Sequence, residues 1–116
     1  MTNKNKFKVI DRDEINDNDI QFNNAIAVSE QGFDKEQPII INEENEIIDG
    51  RHRYIVFEEE GRLNEVSYIQ VSMDEWLELI DKEYENGTDY KFFEGGDYFW
   101  NKIKETFPEE MNNIKY

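Results

Sequence analysis

An apolar extended run that ends in Asp49-Gly50 and passes at once into helix-forming residues constrains this chain more than any other feature. Ile47-Ile48 reads as a buried strand, Gly50 interrupts it, and residues from Arg51 to about Glu60 suit a helix. Phosphate sites use such strand-glycine-helix junctions. The first turn of a helix leaves backbone N–H groups without partners, and the aligned peptide dipoles place partial positive charge there. The same junction holds Arg51-His52-Arg53, which gathers the single histidine and two of the four arginines into three consecutive positions.

In a chain of net charge −15, that cluster reads as an anion site. Gly50 can bring backbone close to a ligand or adopt a positive φ, and Asp49 is placed to cap the helix or orient a cation. Arg53 can fork onto phosphate oxygens, with Arg51 beside it. His52 is suited to donate to the same anion, or to serve as acid or base near neutral pH. The candidate catalytic residues are therefore His52 and Asp49, and the candidate ligand-binding residues are Gly50, Arg51, His52 and Arg53. The competing reading pairs Arg51 and Arg53 with Glu58, Glu59 and Glu60 at about 0.3–0.5 kcal/mol per pair and makes His52 structural. Spacing alone leaves both open.

Residues 37 to about 71 resemble the core of the ParB and sulfiredoxin superfamily. The resemblance runs through Gln37-Pro38-Ile39-Ile40-Ile41, the turn Asn42 to Asn45, Ile47-Ile48-Asp49-Gly50-Arg51-His52-Arg53-Tyr54, Gly61, and Val66-Ser67-Tyr68-Ile69. It implies that Gly50, His52 and Arg53 contact nucleotide phosphates, with a nucleoside triphosphate or diphosphate and Mg²⁺ as the cofactors. Gly50-Arg51-His52-Arg53 lies between the Gly-Glu-Arg-Arg box of ParB proteins, the Gly-Cys-His-Arg of sulfiredoxins and the Asp-Gly-His-His-Arg of free-serine kinases. The sulfiredoxin cysteine falls at Arg51, and the chain has no cysteine, so sulfinic acid reduction is excluded. ParB proteins that load onto DNA carry a helix-turn-helix after this core. Here the residues after Val71 are acidic and aromatic, without a basic recognition helix, which argues against partition. A kinase needs a catalytic carboxylate, and Asp11, Asp13, Glu14 and Glu30 are available without one aligning to the family.

Charge narrows the partners. With 28 acidic against 13 basic residues, the chain repels a nucleic-acid backbone, so direct DNA binding is disfavoured. The same charge suits a basic protein groove that an acidic domain occupies as a mimic, as small phage inhibitors do, although solubility alone accounts for such a charge. Without cysteine there are no disulfides, thiol chemistry or thiolate metal sites. One histidine and scattered carboxylates define no metal cage. Any Mg²⁺ would arrive with a phosphate, and Asp49 is the carboxylate best placed to meet it. No 18-residue apolar run and no signal-like segment occur, so a soluble, cytoplasmic protein without membrane contact is expected, of phage or bacterial type.

Periodicity supplies the remaining elements. Phe7 to Ile10 reads as a first strand and Ile20 to Ser29 as a helix. Asn42-Glu43-Glu44-Asn45 suits a hairpin turn between Ile39–Ile41 and Glu46–Ile48. A strand follows at Val66 to Val71. Ser72 and Glu75 then resemble a capping box that starts a helix with Trp76, Leu77, Ile80 and Tyr84 on its inner stripe and Asn86-Gly87 at its end. A further helix runs from Asp97 to Phe107 with Phe99, Trp100, Ile103 and Phe107 inward, stopped by Pro108. Core packing is the expected role of Tyr90, Phe92, Phe93, Tyr98, Phe99 and Trp100, with base stacking or a protein-binding face as the alternative. Gly95-Gly96 marks a turn or hinge, with a lid near a pocket as the less favoured alternative, and Glu109 to Tyr116 is polar enough to fray.

The expected fold is a single α/β domain over residues 1–116, more fully α+β: a small mixed sheet with packed helices of the ParB and sulfiredoxin type, and an aromatic-rich helical extension from about residue 72. The favoured function is binding of a nucleotide or phosphorylated small molecule at the Gly50 loop, with phosphotransfer or hydrolysis left open. The rival is a non-enzymatic acidic interaction module with a basic protein partner and an idle pocket.

Overall fold

The computed structural model describes residues 7–9, 30 and 32–116. The expected helix from Ile20 to Ser29 and the carboxylates Asp11, Asp13 and Glu14 lie outside them. The fold is mixed α+β, as expected. Four strands form one sheet: β1 (Lys8–Val9), β2 (Ile39–Ile41), β3 (Glu46–Asp49) and β4 (Tyr68–Gln70), in the order β1-β3-β2-β4. β2 and β3 form the expected antiparallel hairpin, with an irregularity between Ile40 and Ile41, while β1 runs parallel to β3 and β4 parallel to β2.

The hairpin turn is built by Asn42. Its side-chain oxygen accepts from the backbone N–H of Glu44 at 2.9 Å and of Glu46 at 3.0 Å, and its amide donates to the Glu46 carboxylate at 2.9 Å. Asn45 takes the positive φ of 64° that closes the turn, a conformation asparagine tolerates better than most residues.

Because side chains alternate along a strand, the isoleucines of β2 serve two cores. Ile39 and Ile41 join Ile47, Tyr54, Phe57, Leu63 and Val66 on one face. Ile40 joins Ile69, Trp76, Leu79, Phe92, Phe99, Trp100, Ile103 and Phe107 on the other. The first face is covered by α1 (Arg51–Glu59), and the second by α2 (Met73–Asn86), α3 (Asp89–Phe93) and α4 (Gly96–Thr106). The sheet is thus sandwiched, and each fully buried isoleucine contributes about 1.5–3 kcal/mol of apolar burial.

Three expectations in the C-terminal half change. Ser72 precedes α2 but makes no side-chain cap. Instead the Glu43 carboxylate, from the distant hairpin turn, accepts the Met73 N–H at 3.1 Å. The inner face of α2 is Trp76, Leu79 and Glu83, while Leu77 and Tyr84 are 46% and 59% exposed. The helix is rotated from the apolar stripe because Glu83 finds buried hydrogen-bond donors, so a charged residue takes a core position. Finally, residues 109–116 do not fray: α5 (Pro108–Asn112) follows α4, and the backbone of Lys115 bonds that of Tyr68 in both directions at 2.8 and 3.0 Å. No helix of the described residues is long and apolar enough to cross a membrane.

Candidate functional site

The junction after β3 forms as the residues require. Gly50 sits at φ 95°, in the left-handed region open chiefly to glycine. A Cβ there would lie 2.6 Å from Ile39 Cδ1 and 3.1 Å from Arg53 Nη2, so φ demands glycine and any larger residue would also displace these side-chain ends. Its carbonyl accepts the Tyr54 N–H at 3.0 Å and starts α1. Asp49 makes no side-chain cap for that helix.

Arg53, in the first turn of α1, reaches back across the entry to β2. Its Nη1 donates to the Gln37 carbonyl at 2.5 Å and Nη2 approaches the Pro38 carbonyl at 3.5 Å. The guanidinium lies over the Phe33 ring, 5.3 Å from its centroid. Burial pushes the guanidinium pKa down, and the nearby Asp49 and Asp34 carboxylates push it back up. Burial likewise raises the Asp49 pKa against the opposing pull of Arg53. The glutamates of the competing reading go elsewhere in part: Arg62 holds Glu65 through two bonds at 2.6 and 2.8 Å and Glu60 at 2.7 Å.

Asp49 and Arg53 both face a cavity of about 320 Å³, with Gln37 and Ile48 beside them. Its other walls come from the C-terminal helices. Trp76 and Ile80 belong to α2, Phe92 and Phe93 to α3, and Phe99 and Trp100 to α4. The rings brace one another, with centroids 5.7 Å apart for Trp76 and Phe92, 4.7 Å for Phe92 and Phe99, and 4.9 Å for Phe99 and Trp100. Gly95 and Gly96 complete the lining at the start of α4, with φ 76° and 79°. Among the described residues no side chain caps this helix start, where the first amides of a helix have no intrahelical partner.

The structure therefore separates the sequence-selected residues. Asp49 and Arg53 line the cavity. Gly50 lies behind them as a packed hinge against Ile39. Arg51 and His52 occupy the first turn of α1, half-buried, and do not line the cavity. The aromatic cluster divides as well: Phe92, Phe99 and Trp100 are core and cavity wall at once, whereas Tyr90 and Phe93 are each 56% exposed. Sequence reasoning missed Gln37 and Trp76 as site residues, and it considered the glycine turn only as a disfavoured lid. The adjacent glycines beside an aromatic cluster were the available signal, but no local pattern ties them to Asp49. Among the described residues no group of three histidine or carboxylate side chains converges to hold a metal.

Chemically, the cavity combines flat apolar walls with one guanidinium, one half-buried carboxylate and a helix start at its rim. No family model matches this chain, and neither the curated proteins nor the solved structures hold a match to it.

Proposed function

We propose that this chain binds a nucleotide, or a phosphorylated small molecule carrying a flat ring, in the cavity between Asp49, Arg53 and the aromatic wall. One observation carries the reading: the cation and carboxylate of the strand-glycine-helix junction share a single cavity with Trp76, Phe92, Phe99 and Trp100. In this reading the ring of the ligand stacks on Phe93, the 56% exposed ring of that wall, with the buried rings behind it as support. The guanidinium has five N–H donors, and those not taken by the carbonyls of Gln37 and Pro38 meet phosphate oxygens. Amides at the Gly95-Gly96 turn add dipolar attraction. Asp49 accepts from an amino group of the ring or from a sugar hydroxyl. A cavity of about 320 Å³ is at the small end of the ~300–1,000 Å³ usual for ligand sites, which favours a mononucleotide over an enclosed triphosphate. The resemblance of residues 37–71 to ParB and sulfiredoxin domains supports the same ligand class, with Mg²⁺ entering on the phosphates; His52 lies outside the cavity lining and takes no part in this reading. The rival function, an acidic module that engages a basic protein, rests on the outer face of α2, which meets the cavity only at Ile80 and Phe93.

The test is an NMR titration with AMP, CMP, ADP, ATP, CTP and GTP in the presence of Mg²⁺. Shifts at Asp49, Phe93, Gly95, Gly96 and the two indole N–H groups support the site. Arg53→Ala is a poor control because Arg53 also holds the chain at Gln37. Phe93→Ala removes a half-exposed wall and leaves the core in place, and it should weaken binding several-fold. Absence of shifts at millimolar ligand would overturn the proposal.

A further inference from the structure

The outer face of α2 carries large apolar side chains that the fold leaves in water. Leu77 and Tyr84 are 46% and 59% exposed, and Phe93 of α3 is 56% exposed. They are not scattered. Leu77 and Tyr84 are seven residues apart, two turns along one helix line, with half-buried Ile80 between them. The Tyr84 ring meets the Phe93 ring at a centroid distance of 6.2 Å. Leu77, Ile80, Tyr84 and Phe93 thus form one strip, two turns of α2 continued onto α3. Single exposed apolar residues are ordinary, but a contiguous strip of this size marks a contact surface.

The charge beside the strip selects the occupant. Asp74, Glu78, Asp81 and Glu85 are all exposed and recur at three- and four-residue spacing, which lines them up along the flank next to Leu77 and Tyr84. Only Lys82 is basic on this helix. An apolar strip with an acidic flank is complementary to a helix whose apolar residues recur at i, i+3, i+4 and i+7 with lysine or arginine alongside. A second copy of this chain fits poorly, because it would bring two acidic flanks together.

We infer that the outer face of α2, from Leu77 to Tyr84 and on to Phe93, is a docking surface for a basic amphipathic helix of a partner protein. The inference rests on the acidic-module reading; Ile80 and Phe93 also line the cavity, so the variants that test it are at Leu77 and Tyr84, which do not. Apolar contacts with Leu77, Tyr84 and Phe93 supply affinity, and the acidic flank supplies orientation and a fast, salt-dependent approach.

The test uses a fluorescein-labelled synthetic peptide of leucine and lysine, patterned as an amphipathic helix of about the length of α2, with fluorescence anisotropy as readout. A second peptide keeps every lysine and replaces each leucine by serine. The full-length chain should bind the first peptide, and Leu77→Ser with Tyr84→Ser should weaken it roughly tenfold or more. Asp81→Lys with Glu85→Lys should do the same, and so should raising salt from about 0.05 to 0.5 M. Equal binding of the serine peptide would overturn the inference, since net charge alone would then explain it. So would indifference to the Leu77 and Tyr84 changes, or sedimentation showing a dimer that Tyr84→Ser dissolves. Failure of the nucleotide titration would leave these outcomes unchanged, and the reverse also holds.

Discussion

The Glu83 carboxylate of α2 accepts a hydrogen bond from the Tyr98 hydroxyl of α4 at 2.6 Å. It also accepts one from the Thr88 hydroxyl at the turn into α3. Glu83 is only 3% exposed, so this contact fastens two of the helices that wall the cavity. Burial pushes its pKa up, but the bonds from Thr88 and Tyr98 and the charge of Lys102 outweigh that and hold it below the ordinary value.

Tyr98→Phe should therefore destabilise the fold by about 1.5–3 kcal/mol at neutral pH, the usual worth of a hydrogen bond to a charged group. A depressed carboxylate pKa stabilises the fold above the unfolded value, 4.5 here, and the contribution is lost as pH falls through the lower folded value. Urea unfolding of both proteins should accordingly show a gap at pH 7 that narrows as the pH falls below 4.5. A gap independent of pH would argue that the hydroxyl matters only through packing.

Asp49→Asn should have the opposite sign. Its carboxyl is raised above 3.8 by burial, so the native state binds the proton more tightly, and stability declines as pH rises from 3.8 through the folded value. The decline is at most about 1.4 kcal/mol per pH unit for one group. The asparagine variant should be more stable than the parent at pH 7 and equal to it at the acid end, as thermal unfolding at several pH values will show.

Gly50→Ala places a methyl group 2.6 Å from Ile39 Cδ1 at φ 95°. The left-handed conformation costs about 1–2 kcal/mol for an L residue, and forcing an extra methyl into packed surroundings adds roughly 1–3. Loss of at least 2 kcal/mol in chemical denaturation is expected, with helix content retained by circular dichroism.

Arg53→Ala should loosen the entry to β2 more than it loosens α1, because the guanidinium bonds the Gln37 carbonyl. Hydrogen exchange should speed up at the Gln37 amide, which bonds the Asp34 carbonyl at 3.0 Å. Uniform acceleration across the domain would contradict this.

Leu77→Ser and Tyr84→Ser should each change stability by no more than about 0.5 kcal/mol, as exposed positions do. Leu79→Ala, two residues on and on the buried side of the helix, should cost about 2–5 kcal/mol. Equal losses at Leu77 and Leu79 would mean that α2 faces the core as its apolar stripe suggests.

Local chemistry made much of the fold legible. The isoleucine strands, the Asn42 to Asn45 turn, the break at Gly50, and the end of α2 at Gly87 all follow from propensities and backbone restrictions that act within a few residues. The inward set Phe99, Trp100, Ile103 and Phe107 follows from helical period, and all four are buried. Where a distant partner intervened, local pattern misled. Glu43 replaces Ser72 as the cap of α2, Glu83 displaces Tyr84 from the core, and Lys115 pins a segment whose composition suggests fraying.

The candidate site divides along the same line. The sequence by itself determined that Asp49, Gly50 and Arg53 sit at a strand-to-helix junction, because only glycine fits that backbone and the flanking residues set its neighbours. Tertiary structure alone decided that Asp49 and Arg53 open onto Trp76, Phe92, Phe99 and Trp100, while Arg51 and His52 do not. That choice depends on how three later helices pack across the sheet, and packing is a property of side chains far apart in the chain, which no local spacing encodes.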